Sequence, residues 1–253
     1  MASVLITGAS RGFGLALVRE LSSRPASEIS KVFATARGES SALSELAAAS
    51  AGRVSVVQLD VTDEVSIRNA EAEVETQLSG KGLDILINNA GICQYVSDGV
   101  KSMDNLAESL TVNVLGVHCV TQAFLPLLQR GSLKKVANIT TSLASITLAR
   151  ASHDVPTPAY KISKSALHAL TVQYALDHEK DGFAFVAIAP GWMKTDLGGG
   201  DIADLTPEQG AKASLNILFR PNGEINGQFP KVLVPGWEHA TGRNVYDGTM
   251  VPW

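Results

Sequence analysis

Apolar runs of strand length alternate with segments whose apolar residues recur at helical spacing, without a linker or an internal repeat. Strand patterns read at about 3–7, 31–36, 53–59, 83–88, 133–140, 183–189 and 228–234, and helical patterns near 12–23, 39–50, 63–79, 103–130, 158–180 and 206–219. Repeated βα units return each strand parallel to the last and place helices on both faces of one sheet. The expectation is a single α/β domain over 1–253, with a doubly wound parallel sheet of seven strands. A chain of 253 residues, 45% apolar and 18% charged, can bury such a core. Ligands of these sheets bind beyond the carboxyl ends of the strands, where strand order reverses.

Four segments fall at those strand ends. Thr7-Gly8-Ala9-Ser10-Arg11-Gly12-Phe13-Gly14 lies between the strand run Val4-Leu5-Ile6 and the helical run from Leu15 to Leu21. Glycines there permit a tight turn against a pyrophosphate, and the helix N-terminus offers free N–H groups. The spacing is G-x-x-x-G-x-G, so the general G-x-G-x-x-G fingerprint is not matched. The strand from Leu83 runs into Asn88-Asn89-Ala90-Gly91, two amides that can pin backbone and two small residues that leave room. A later strand ends in Ala189-Pro190-Gly191-Trp192-Met193-Lys194-Thr195-Asp196, a fixed turn followed by an available hydroxyl. Tyr160-Lys161-Ile162-Ser163-Lys164 stacks a phenol and an ammonium on one helix face. An adjacent ammonium favours the phenolate, so such a tyrosine can exchange a proton with a carbonyl oxygen. The same pair also occurs on solvated helix faces, and each turn alone could be structural.

Together these segments resemble the short-chain dehydrogenase/reductase family. Thr7, Gly8, Gly12, Gly14, Asn88 to Gly91, Asn113, Tyr160, Lys164, Pro190 and Gly191 stand in its order and at its distances, over essentially the whole chain. Two stretches resemble a narrower branch, the carbonyl reductases similar to sniffer and the bacterial C-factor. They are Pro190 to Gly199 and the ending Tyr246-Asp247-Gly248-Thr249-Met250-Val251-Pro252-Trp253. The resemblance implies a Rossmann-type domain holding a nicotinamide cofactor. The turns and the resemblance together assign cofactor contacts to Gly8, Ser10, Arg11, Gly12, Phe13, Gly14, Arg37, Asp60, Val61, Asn89, Ala90, Gly91, Tyr160, Lys164, Pro190, Gly191, Met193 and Thr195.

The implied reaction is reduction of a ketone or aldehyde to an alcohol, with Tyr160 as proton donor and Lys164 lowering its pKa and bonding the nicotinamide ribose. Asn113 is implied by the resemblance to hold a water that links Lys164 to solvent. The family pattern after the fifth strand is Asn-hydrophobic-Ser-Ser, whereas this chain reads Asn138-Ile139-Thr140-Thr141-Ser142. Strict register puts Thr141 at the catalytic place; Ser142 is the usual residue type one position late and is slightly favoured, because loop geometry is free where the strand ends. Substrate walls are expected from loops near 92–103, 143–159 and 192–206. Ile92, Cys93, Tyr95, Trp192 and Met193 are the candidate lining, Gly198 to Ile202 a candidate lid, and the lining suits a hydrophobic carbonyl. His153 reads as a solvated loop histidine. Alternatives left open are NAD-dependent oxidation of a secondary alcohol and a nucleotide-binding regulatory protein.

Composition bounds the partners. Net charge is −4 with no basic block, which argues against nucleic acid and anionic membranes. The strand signal begins by Val4 and no apolar run approaches membrane-spanning length, so a cytoplasmic protein is expected. Cys93 and Cys119 lack metal-ligand spacing and read as free thiols, with no metal site. Relatives pair the helices near 103–130 and 158–180, so a homodimer or homotetramer through Phe124, Leu125, Leu128, Leu170 and Tyr174 is open, although those residues also suit a core.

Cofactor choice follows from the end of the second strand. An NAD site usually places a carboxylate there, but Thr35-Ala36-Arg37 has none before Glu39. Arg37 and Arg11 can bracket a 2′-phosphate through forked hydrogen bonds, so NADP(H) is the expected cofactor. Equilibrium titration should give tighter binding of NADPH than NADH; comparable affinity counts against the assignment.

Overall fold

The computed structural model describes residues 1–241 and 244–253. In chain order its principal elements are β1 (Ala2–Ile6), α1 (Gly12–Ser23), β2 (Ile29–Ala36), α2 (Ser41–Ala49), β3 (Val54–Gln58), α3 (Glu64–Leu78), β4 (Ile85–Asn88), α4 (Leu106–Leu110), α5 (Gly116–Arg130), β5 (Lys135–Ile139), α6 (Pro158–Asp177), β6 (Ala184–Ile188), α7 (Pro207–Leu218) and α8 (Asn222–Ile225). The strands form one parallel sheet in the order β3-β2-β1-β4-β5-β6. Successive strand residues alternate between its faces: Val4 and Ile6 join a core with α1, α2 and α7, while Leu5 joins one with α3, α5 and α6. Burial on both faces is why these strands read as continuous apolar runs.

Among the described residues the sheet has six strands, which corrects the expected seven. The segment 228–234 does lie beside β6, where Ala187 N–H donates to Gln228 O (3.0 Å), Ala189 N–H to Pro230 O (3.1 Å) and Val232 N–H to Ala189 O (3.2 Å). The reciprocal bond to Ala187 would need an N–H at position 230. That residue is proline, which has none, so only an isolated bridge at Ala189 and Lys231 forms. The other side of the segment is held by the ending, through Pro230 with Met250 and Leu233 with Asp247.

Helical spacing over 103–130 becomes α4, a π turn at Thr111–Leu115 and α5. The π turn carries Asn113, which is fully buried. By length and composition, Leu106–Arg130 passes for a membrane-crossing helix, with 25 residues and a mean hydropathy of 1.4. This corrects the expectation of no such stretch, which counted unbroken apolar runs; here polar residues such as Glu108-Ser109 and Thr121-Gln122 interrupt an apolar helix. Phe124 and Leu128 lie wholly in the core, so neither is available to the subunit interface for which they were candidates, whereas Leu125, Leu170 and Tyr174 are half-buried.

Buried Asp84 ties the amino ends of the strands together. One carboxylate oxygen accepts from Ser3 N–H (2.8 Å) and Ser3 Oγ (3.1 Å), the other from Ser132 N–H (2.8 Å) and Leu133 N–H (3.3 Å). Asp84→Ala leaves the buried Ser3 N–H without its acceptor and should cost about 1–3 kcal/mol, read from the urea midpoint. A loss below about 0.5 kcal/mol, the scale of an ordinary surface change, overturns this role.

Candidate active site

Strand order reverses between β1 and β4, and the chain leaving β1 straddles that gap. Thr7 N–H donates to Ile87 O (3.0 Å) on one side, and Ala9 N–H to Thr35 O (2.7 Å) on the other. Asn89 holds the opening: its amide nitrogen donates to Thr7 O (2.8 Å) and Gly8 O (3.0 Å), while Asn89 and Ala90 N–H groups donate to Thr7 Oγ1 (2.9 and 3.0 Å). Gly8 has φ +66°, and a Cβ on it would lie 2.9 Å from Ala90 Cα; one on Gly14 would lie 2.3 Å from Gly8 O. Backbone therefore packs on backbone where the sequence placed its glycine turn.

A cavity of about 900 Å³ opens from this point along the strand ends. Every residue assigned from sequence to cofactor binding lines it, from Gly8 through Thr195, as do Thr141 and Ser142. The helix α1 begins here with no side-chain cap from Arg11 and no acidic residue in its first turn. Its first N–H groups thus lack side-chain partners and face the cavity beside Gly12, Phe13 and Gly14, a built site for a phosphate. Asp60 accepts from Thr62 N–H (2.8 Å) and Oγ1 (2.7 Å). Those bonds, and secondarily Arg37, hold its carboxyl below the usual range and keep it an acceptor. The residues present fit a dinucleotide. One arginine is engaged elsewhere, since Arg11 pairs with Asp196 at 2.6 Å, both groups 77% exposed. Arg37 is exposed.

Helix α6 presents Tyr160, Lys164 and His168, one per turn, toward the end of β5. Tyr160 is 9% exposed and Lys164 4%. Burial, with Cys93 and Tyr95 adding to it, pushes the Tyr160 phenol above its ordinary range. Burial also lowers the Lys164 ammonium to about 8. Lowering of the tyrosine pKa by Lys164 is therefore corrected for this state. The ammonium donates to Ile139 O (2.7 Å) and stands 6.0 Å from the phenol ring centroid, so desolvation outweighs attraction.

Asn113 does not line the cavity. Its Oδ1 accepts from Ile92 N–H (2.9 Å), and its Nδ2 donates to Ile92 O (2.9 Å) and Ser163 Oγ (3.0 Å), while Ser163 Oγ donates to Tyr160 O (2.9 Å). The side chain thus joins the loop after β4 to the tyrosine's turn of helix. Thr141, half-buried in extended conformation, accepts from Leu143 N–H (3.2 Å) and caps a short 3₁₀ turn at Ser142–Ala144; Ser142 is exposed. Thr195 Oγ1 accepts from Gly198 N–H (3.1 Å), closing its own loop.

The candidate substrate walls are present in part. Ile92, Cys93, Tyr95, Trp192 and Met193 line the cavity, as do Leu148 and residues 154–157 of the long loop. Gly198 and Ile202 reach it, whereas Gly199 and Gly200, which lead into the 3₁₀ turn ending at Ile202, do not line it. His153 is exposed, with Nδ1 on Arg150 O, and lies outside the cavity. The sequence reading missed Glu108 and most of the ending, since Asn244 to Tyr246 and Thr249 to Pro252 also line it. Tyr246 donates to Asp204 Oδ2 (2.6 Å) and accepts from Trp192 N–H (3.1 Å), locking the loop after β6. The only available signal was the resemblance of the ending itself, which carries no periodicity.

Residues 2–205 match the short chain dehydrogenase family, and the chain belongs to it. The NADPH-bound carbonyl reductase from chicken fatty liver superposes with a TM-score of 0.85 at 30% identity, covering 100% of this chain and 99% of that one. Carbonyl reductase Sniffer of D. melanogaster gives 0.84 at 28% identity, covering 100% of both. The C-signal protein of Myxococcus xanthus is 34% identical over 172 residues, 68% of this chain and 93% of that one. The fold and family make the chain an oxidoreductase of Rossmann type, with a site built for a nicotinamide dinucleotide.

Burial of Lys164 carries a signature in stability. Below about pH 8 the lysine is charged in both folded and unfolded chains, and the folded state bears the full desolvation cost. Between about 8 and the model-peptide value near 10.4, the unfolded chain holds the proton and the folded one does not, so stability rises with pH. Lys164→Met should remove that rise from a urea-unfolding series; an identical rise in the variant overturns the assignment.

Proposed function

We propose that the protein is an NADPH-dependent carbonyl reductase that converts a hydrophobic ketone or aldehyde to its alcohol. The observation that carries this reading is a buried phenol, Tyr160, beside Lys164 in a cavity continuous with a capless helix N-terminus. When bound, the cofactor supplies a hydride to the carbonyl carbon. Gly12, Phe13 and Gly14 at the start of α1 hold its phosphates, Arg37 pairs with the 2′-phosphate, and Asp60 and Val61 bound the adenine. Arg11 joins Arg37 by exchanging its exposed partner Asp196 for phosphate, a pairing worth no more than about 1 kcal/mol.

Tyr160 gives its proton to the carbonyl oxygen as negative charge develops there. A phenol raised by burial is fully protonated near neutral pH, so the form at rest is the form a reduction needs. Lys164, mostly charged at pH 7, stabilises the phenolate that remains. Asn113 fixes the loop bearing Ile92 against α6, and a water relay from Lys164 past Asn113 would restore the proton. Thr141 is the hydroxyl we assign to the substrate carbonyl: its oxygen already accepts from Leu143 N–H, which leaves its proton directed elsewhere. Ser142, exposed at the start of the 3₁₀ turn, lacks that constraint. Ile92, Tyr95, Trp192, Leu148 and Met250 supply an apolar wall. The setting we propose is the cytoplasm.

NADPH consumption against ketones, quinones and aldehydes tests the reaction. Tyr160→Phe should lower turnover by about a hundredfold or more while leaving NADPH affinity nearly unchanged. Retained turnover in that variant sinks the mechanism. Thr141→Ala should cost more turnover than Ser142→Ala, and the reverse order moves the donor to Ser142.

A further inference from the structure

The ending 246–253 has a second side besides the cavity. Trp253 stacks on Phe229 (ring centroids 5.2 Å, interplanar angle 24°) and meets His168 edge-on (5.2 Å, 65°). Its main-chain oxygen accepts from Thr147 N–H (3.1 Å) and Thr147 Oγ1 (2.7 Å), and Pro252 O accepts from Ser145 Oγ (2.5 Å). Ser145 is buried, and its Oγ also accepts from Leu148 N–H (3.1 Å). Two residues of the ending therefore hold the loop that leaves the proposed hydroxyl donor.

His168 holds the other end of the same stretch. It is 4% exposed, packs on Phe229 at 4.1 Å, and its Nε2 shares a 2.7 Å hydrogen bond with Thr140 Oγ1. Thr140 stands between Ile139, whose carbonyl receives Lys164, and Thr141. Burial lowers the imidazole to about 4, so it is neutral in the working range and has no acid–base duty there. A buried, neutral ring in that place serves geometry.

We propose that Trp253 and His168 are positioning residues, which together clamp residues 140–148 so that the β5 hydroxyl and the Lys164-binding carbonyl keep their places. On this view the ending is a strap whose outer side orders the catalytic loop and whose inner side, Met250 to Pro252, walls the substrate. Apolar stacking supplies the adhesion, and main-chain acceptors supply the register. The kinetic part rests on the proposed reduction; the ordering part does not.

The test uses the full chain and compares Trp253→Ala, Trp253→Phe and His168→Phe, the last keeping a ring for stacking but losing the bond to Thr140. Hydrogen exchange over residues 141–149 should quicken about tenfold or more in Trp253→Ala and His168→Phe, with α1 and β1 unchanged. NADPH affinity, read by fluorescence, should stay within about twofold, and kcat on the ketones and quinones of the panel should fall about tenfold or more with KM changed far less. Trp253→Phe should restore kcat, because a smaller ring still stacks. Should Trp253→Ala fail to fold, His168→Phe carries the same comparison. Unaltered exchange over 141–149, a kcat loss matched by lost NADPH affinity, or no rescue by phenylalanine overturns the proposal. A wild-type protein that consumes none of the carbonyls defeats the proposed reaction instead, and the exchange arm then decides the strap alone.

Discussion

The site depends on a gap that the sheet cannot close. A parallel sheet wound outward in both directions from β1 and β4 sends its connections to opposite faces, leaving a crevice between the two strand ends. Thr7 and Asn89 keep that crevice open at a fixed width, because each satisfies backbone groups of the other's strand. The glycine turn fits only inside this arrangement, since a Cβ on Gly8 would collide with Ala90 and one on Gly14 with Gly8 O. Phosphate-binding capacity is thus a by-product of strand order, and the helix α1 is aimed by it.

A second dependency runs through α6. Tyr160, Lys164 and His168 share one face, and each meets the terminal residues of β5 or the cavity in front of them. Placing a lysine in that interior is unfavourable, because burial disfavours the charged form and lowers its pKa. The arrangement persists because Ile139 O receives the ammonium and because Asn113 and Ser163 anchor the first turn of the helix from behind. Stability yields to function at this point, as expected of sites that hold ionisable groups out of water.

Much of this was legible in local sequence. The strand and helix periods located β1 to β6 and all the long helices within a few residues, since apolar spacing reports which face is buried. Short motifs at strand ends found the cavity, because glycine, amide and Tyr-Lys patterns reflect local backbone demands. The seventh strand failed at Pro230, where one missing N–H breaks a ladder that periodicity alone predicts. The lysine effect on Tyr160 was misjudged because helical spacing gives proximity but not desolvation. Glu108 and the residues of the ending escaped because nothing nearby in sequence marks them as sharing a cavity with Gly8.

What the sequence determined by itself is the alternation of strand and helix, the glycine turn and the Tyr160–Lys164 face, all of which rest on interactions within a few residues. Only the tertiary structure decided that Arg11 meets Asp196, that Asn113 braces Ile92, and that Trp253 returns to His168 and Thr147. These contacts join residues tens to nearly two hundred positions apart. Their existence depends on where the chain has been folded to, and no local preference encodes that.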